Sequence, residues 1–169
     1  KVTKIGPNSF LNCKQLHLIE FSQDSQLEII GDNAFSGCSI DHIKIPSNVT
    51  RIGMNAFGYC KNLRSIEFES DSKLEIIDKL AFTKTSIEKV LIPSNLTRIN
   101  ERAFFSCYKL RKIEFPSDSK LKVIENEAFY ISNIENFTIP SNLVELDERV
   151  FKSAKKLTKI SVAKNNQIF

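Results

Sequence analysis

A phenylalanine returns at fixed intervals along this chain, and that recurrence limits the possible fold more than any other feature. The positions are Phe10, Phe35, Phe57, Phe82, Phe104, Phe129 and Phe151, with intervals that alternate between 25 and 22 residues. In five of the seven cases Ala precedes the ring. Two repeat types therefore alternate inside a compound unit of 47 residues. A period in this range marks a stacked array of coils, each too small to bury its own apolar residues and dependent on its neighbours for a core.

The remaining apolar residues keep phase with the ring. Triplets with the spacing 1, 4, 6 follow it, as Leu16-Ile19-Phe21, Leu63-Ile66-Phe68, Leu110-Ile113-Phe115 and Leu157-Ile160-Val162 in one repeat type. The other type carries Ile40-Ile43-Ile45, Ile87-Val90-Ile92 and Ile134-Phe137-Ile139. Alternation and β-branched content predict a short strand at the end of each triplet. A second apolar pair follows, for example Leu27-Ile30, Leu74-Ile77 and Leu121-Ile124. Polar stretches such as Gly31-Asp32-Asn33 and Asn100-Glu101-Arg102 then predict the start of a short helical turn leading into Ala-Phe. The short repeats read Ile-Pro-Ser-Asn after the strand, at Ile45, Ile92 and Ile139, whereas the long ones carry a looser loop such as Phe68 to Leu74. Proline has no N–H for a ladder, so the strand ends there. The expected fold is a repeat solenoid with parallel strands on one face and short helical turns or loops on the other.

The pattern L-x-x-I-x-F/I-P followed by L-x-x-I-x-x-x-A-F-x-x-C resembles the BspA-like leucine-rich repeats, the Treponema pallidum-type class. The resemblance covers essentially the whole chain and implies a right-handed leucine-rich-repeat coil. Residues 1–169 are then a single solenoid of about seven repeats. The head, Val2 to Ile5, enters a repeat midway, and the tail, Val162 to Phe169, looks like the opening of another. A longer array is therefore expected, with exposed terminal rungs able to associate end to end. Relatives of this class resemble secreted or surface-anchored adhesins of anaerobic bacteria and mucosal parasitic protists. The resemblance implies a non-catalytic recognition module that attaches to a host-surface or matrix protein, located outside the cell or on its surface. The alternative is an intracellular scaffold that binds another protein through the same face.

Charge and motifs narrow the functional classes. Lys and Arg number 24 against 20 Asp and Glu, interspersed and without runs of one sign, so a dedicated nucleic-acid binder is not expected. No apolar run is long enough to span a membrane. No Gly-rich phosphate loop, nucleophile elbow or H-E-x-x-H motif is present, and neither an enzyme nor a cofactor is expected.

Cys13, Cys38, Cys60 and Cys107 each lie three residues after a repeat Phe, in a slot that elsewhere holds Thr85, Ser132 and Ala154. A slot that takes Cys, Thr, Ser and Ala reads as a small buried niche; an inter-rung disulfide such as Cys13–Cys38 or Cys38–Cys60 is the other reading. The close C-x₂₋₄-C pairs of zinc sites are absent, and no metal is expected. His17 and His42 read as solvated residues beside the strand.

The outward strand columns carry the variation a recognition surface needs. One reads Glu20, Lys44, Glu67, Leu91, Glu114, Thr138 and Ser161, and a second Leu18, His42, Ser65, Lys89, Lys112, Asn136 and Lys159. Opposite charges such as Glu20, Lys44 and Glu67 on adjacent rungs are expected to pair weakly. The candidate binding residues are Lys44, Glu67, Lys89, Leu91, Arg111, Lys112 and Glu114. The sequons at Asn48 and Asn95 occupy one turn of equivalent coils and are candidate glycosylation sites. A third, at Asn136, falls on a strand.

Overall fold

The computed structural model describes residues 1–166 and residue 168. Gln167 and Phe169, part of the tail read as the opening of a further repeat, lie outside the described residues. The chain winds into a parallel β-solenoid of about seven turns held by three columns of rung-to-rung hydrogen bonds.

The first column uses the second apolar pair. Two-residue strands β1 (Lys4–Ile5), β2 (Ile29–Ile30), β4 (Arg51–Ile52), β6 (Ile76–Ile77), β8 (Arg98–Ile99), β10 (Val123–Ile124) and β12 (Glu145–Leu146) pair in parallel as one seven-stranded sheet. The second column is the strand face expected from the triplets. Its strands are β3 (His42–Ile45), β5 (Ser65–Phe68), β7 (Lys89–Leu91), β9 (Lys112–Glu114), β11 (Asn136–Ile139) and β13 (Lys159–Val162). The triplet Leu16-Ile19-Phe21 forms no strand.

The strand face breaks once. β3, β5, β7 and β9 form one sheet, and β11 and β13 form another. The break coincides with Phe137, which stands where Ile43, Ile66, Val90 and Ile113 point inward on the other rungs. Its ring sits edge-on to Phe115 at 5.6 Å and to Phe151 at 4.7 Å. The coils stay joined beside the break, where Asn133 N–H donates to Leu110 O at 2.9 Å.

The third column corrects the expected helical turn. Asn33, Phe35 and Gly37 donate their N–H groups to Met54, Ala56 and Gly58 of the next coil, each at 2.8 Å. The alternate residues Ala34 and Ser36 close tight turns onto Gly31 and Asn33 within their own coil. The same scheme recurs along the array. An α-helix would commit every N–H to its own coil, so this segment is a lateral ladder built of turns. It demands left-handed backbone on either side of the Ala-Phe pair, with φ of 54° at Asn33 and 70° at Gly37. Asn and Gly tolerate that region, whereas a β-branched residue is strained in it.

Ile131 has to adopt φ of 52° with its side chain 40% exposed. Ile131→Asn is expected to stabilise the protein by about 1 kcal/mol, a rise of about 2–4 °C in melting temperature. An unchanged or lower melting temperature in a thermal scan would refute this account of the turn.

Inside the three columns the repeat phenylalanines form a continuous stack. Ring centroids of Phe10, Phe35, Phe57, Phe82, Phe104 and Phe129 follow one another at 5.1 to 5.7 Å, nearly parallel. Ile and Leu residues of both sheets surround the stack.

The alternation of repeat types has a physical basis in the Asn of the short coils. Asn48 donates its Nδ2 to Ser25 O of the preceding long coil at 2.9 Å and accepts Lys73 Nζ of the following one at 2.8 Å. Asn95 does the same with Ser72 O and Lys120 Nζ, both at 2.8 Å. Asn142 donates to Ser119 O at 2.6 Å. Asn48 and Asn95 thus clasp their short coils to the long coils on both sides, and Asn142 to the preceding one.

Candidate functional site

Alternation along the strands places Ile43, Ile66, Val90, Ile113 and Phe137 in the core and sends their neighbours to solvent. The parallel register aligns these outward residues across rungs: Lys44 opposes Glu67, Lys89 opposes Lys112, and Leu91 opposes Glu114. The two lysines facing each other would repel. Glu114 resolves this by accepting both, Lys89 Nζ at 2.7 Å and Lys112 Nζ at 2.5 Å. Hydrogen bonds from Lys112 and then Lys89 hold the Glu114 carboxyl below its ordinary range. Two cations sharing one carboxylate leave a net positive centre, and Arg111 beside it has no ion-pair partner among the described residues. Leu91 stands 57% exposed in the middle of this group.

The pairing expected between Lys44 and Glu67 does not form. Lys44 Nζ reaches diagonally to Glu69 Oε1 at 3.3 Å, while Glu67 remains exposed. Glu69 lies in the loop of a long coil, and its Oε2 also accepts the N–H of Ser47 at 3.0 Å. Sequence columns could not reveal a partner two positions out of register.

The break between β9 and β11 opens a groove of about 910 Å³ on this face. Its lining includes Leu91, Arg111, Lys112 and Glu114, then Glu135, Asn136 and Thr138, with Phe115, Pro140 and the segment Ala163 to Asn165. Four of the seven candidate residues are thereby brought together at the groove, with Lys89 tied in through Glu114. Lys44 and Glu67 lie apart, and Lys44 borders a smaller depression with Leu18, His42 and Glu69. The groove itself was not legible in the repeat pattern; Phe137, the odd aromatic in a column of Ile and Val, is the residue that marks it.

The other candidates divide. His42 Nδ1 lies 2.9 Å from Asp41 Oδ1, both exposed, and this contact lowers the Asp41 carboxyl. His17 approaches Ser39 O at 3.4 Å, on a different rung, and the two histidines meet no common partner. Among the described residues no group of three His, Cys, Asp or Glu is placed to hold a metal. The thiols are unpaired, and three of them are buried. Each buried thiol donates to the Phe carbonyl of the preceding coil: Cys38 to Phe10 O at 2.9 Å, and Cys60 and Cys107 to Phe35 O and Phe82 O at 3.1 Å. Burial pushes Cys60 up to about 12 and Cys107 to about 11. Asn48 and Asn95 use their amide nitrogens in the clasps between coils, so a glycan on either would have to be carried beside a part-buried hydrogen bond made by the remaining N–H.

Parallel rungs, a stacked aromatic spine and an open strand face define a leucine-rich-repeat protein, a class typically built for protein interaction without catalysis. The chain belongs to the BspA-type leucine-rich repeat family, with six copies of that repeat matched over residues 1–110 and 75–169. It is similar to the pneumococcal vaccine antigen PcpA at 29% identity and a TM-score of 0.78, over 83% of this chain and 37% of that one. A leucine-rich repeat protein of Bacteroides ovatus ATCC 8483 shares 22% identity and a TM-score of 0.74, covering 97% of this chain and 53% of its own. The T. pallidum leucine-rich repeat protein shares 20% identity and a TM-score of 0.57, over 95% of this chain and 70% of that protein. The last two likenesses are of fold. The chain spans 37% and 53% of the first two structures. None of the curated proteins matches it. No helix among the described residues is long and apolar enough to cross a membrane.

Proposed function

We propose that this chain is an adhesion module, displayed on a cell surface or secreted, that binds a host-surface or matrix protein through its strand face. The observation that carries the reading is the groove between β9 and β11. There an exposed Leu91 and an unpaired Arg111 sit beside the cationic Lys89–Glu114–Lys112 centre. An apolar anchor ringed by charged groups is the composition expected of a recognition patch. Likeness to a vaccine antigen supports an exposed location.

Flow cytometry with the labelled chain on epithelial cells tests the proposal. Saturable binding by the native chain is expected. The Lys44→Glu/Lys89→Glu/Lys112→Glu variant should lose it by about tenfold or more at unchanged melting temperature, since reversing charge at an interface removes both attraction and fit. Equal binding by the two proteins would sink the strand-face assignment.

One observation favours the scaffold reading: four thiols without a disulfide suit a reducing compartment. Surface biotinylation of intact cells that express the protein separates the readings, because a scaffold stays unlabelled until the cells are lysed. End-to-end association through the outer rungs should appear as concentration-dependent sedimentation of the purified chain.

A further inference from the structure

The lysines that look scattered in the sequence are sorted by the coil. On each rung a turn edge runs from the residue after the repeat Phe to the start of the next triplet. These edges cover residues 11–15, 36–39, 58–62, 83–86, 105–109, 130–133 and 152–156. They stack directly, since the N–H groups of Asn12, Gly37, Tyr59, Lys84, Ser106 and Ile131 each donate to the next edge at 2.8 to 3.2 Å. Together they contain Lys14, Lys61, Lys84, Lys109, Lys152, Lys155 and Lys156, and no Asp or Glu. Taking these seven from the chain's 24 basic residues leaves 17, fewer than its 20 acidic ones. The mild positive charge of the chain is thus a basic edge on an otherwise net acidic body.

These seven side chains are exposed, and none has an ion-pair partner among the described residues. On the strand face Lys44, Lys89 and Lys112 are paired while Arg111 and Lys159 have no ion-pair partner among the described residues, so that face mixes acids and bases where the turn edge carries bases alone. Glu101 and Glu127, which precede the edge on their coils, are taken up by Lys79 and Arg102. Aromatic rings hold part of the edge in place. Lys84 lies over Tyr59 at 5.1 Å, and Lys152 over Tyr130 at 5.9 Å. Tyr130 stacks on Phe105 at 4.8 Å, and the Arg102 guanidinium lies over the Phe105 ring at 5.6 Å.

We infer that this turn edge binds a linear sulfated polysaccharide lying along the solenoid axis. Unpaired lysines on one acid-free strip attract a polyanion. The spacing favours a polymer with a disaccharide period. Lys14, Lys61 and Lys155 lie four residues after the repeat Phe and Lys109 five after it, one on every second coil; those coils are about 10 Å apart at the rise of stacked parallel strands, close to the length of one disaccharide. Single-stranded nucleic acid fits less well, because base recognition needs free ring faces. Here Tyr59, Phe105 and Tyr130 meet cations or one another, which leaves Tyr108, 52% exposed, as the one ring of the edge without such a contact among the described residues.

The edge is separate from the strand face, so either assignment can fail alone. Binding of immobilised heparin to the whole chain tests it, with a Lys14→Ala/Lys61→Ala/Lys109→Ala/Lys155→Ala variant and the corresponding Lys→Gln set. Native protein should bind with an affinity that falls steeply with salt. The edge variants, folded by circular dichroism, should bind about tenfold or more weakly, with a shallower salt dependence. The Lys44→Glu/Lys89→Glu/Lys112→Glu variant should stay within about twofold of native, because charges on another face are screened at this distance. Absence of heparin binding by native protein, or equal binding by the edge variants, overturns the inference. Equally tight binding of desulfated heparin, double-stranded DNA or phosphatidylserine vesicles overturns the assignment to a sulfated glycan.

Discussion

Phe82→Ala is expected to lower the stability of the chain by about 3–5 kcal/mol, the range for emptying a fully buried aromatic site. Phe82 occupies the middle of the stack, fully buried, with the Phe57 and Phe104 rings at 5.4 and 5.2 Å. Removing it leaves a void on both sides and cuts the interface between the two halves of the array. Neighbour interfaces supply most of a solenoid's stability, so a central break is felt along the whole chain. The same substitution at Phe10 should be much milder, because that ring is 42% exposed and stacks on Phe35 alone. Urea denaturation of the two variants checks the contrast. Equal losses at Phe10 and Phe82 would show that the stack is not the structural spine.

Alkali is expected to unfold the protein at a lower pH than it would a variant without the buried thiols. In the unfolded chain Cys60 and Cys107 deprotonate near their ordinary value of 9.0; in the fold they do so near 12 and 11. Between those values the unfolded state holds fewer protons, so each pH unit removes about 1.4 kcal/mol of stability per thiol. The stabilisation is complete below pH 9.0 and is lost as the pH rises through the folded values. Together the two thiols should remove several kcal/mol by about pH 11, a large share of a typical folding free energy. Ser132 shows that a serine fits this slot. A Cys60→Ser/Cys107→Ser variant should therefore fold and unfold at distinctly higher pH. If the alkaline midpoint were the same for both proteins, the buried thiols would not control it.

The periodic parts of the molecule were legible from sequence because each obeys a rule that repeats. The Phe spacing gave the stack and the number of coils, and the triplets gave the strand face, since alternation and burial are the same constraint seen twice. What could not be read depended on departures from the repeat. The Ala-Phe segment resembles a capped helix start in composition; only its left-handed residues, several of them not Gly or Asn, reveal a lateral ladder. Phe137 reads as another apolar residue in sequence, and only the fold places its ring at the break between β9 and β11. Glu69 and the basic turn edge were hidden for one reason. Side chains from different coils meet at offsets that linear reading does not align.

The asparagine clasps also bear on how such an array can change in length. Asn48 and Asn95 need a long coil on either side, one offering a serine carbonyl and the other a lysine. Duplicating a single coil would set two short or two long turns side by side and leave one partner unanswered. Duplicating a pair reproduces every contact at the new junction. Inheritance of this architecture should therefore proceed by twos, with repeat numbers drifting in steps of 47 residues and the short and long turns never falling out of order.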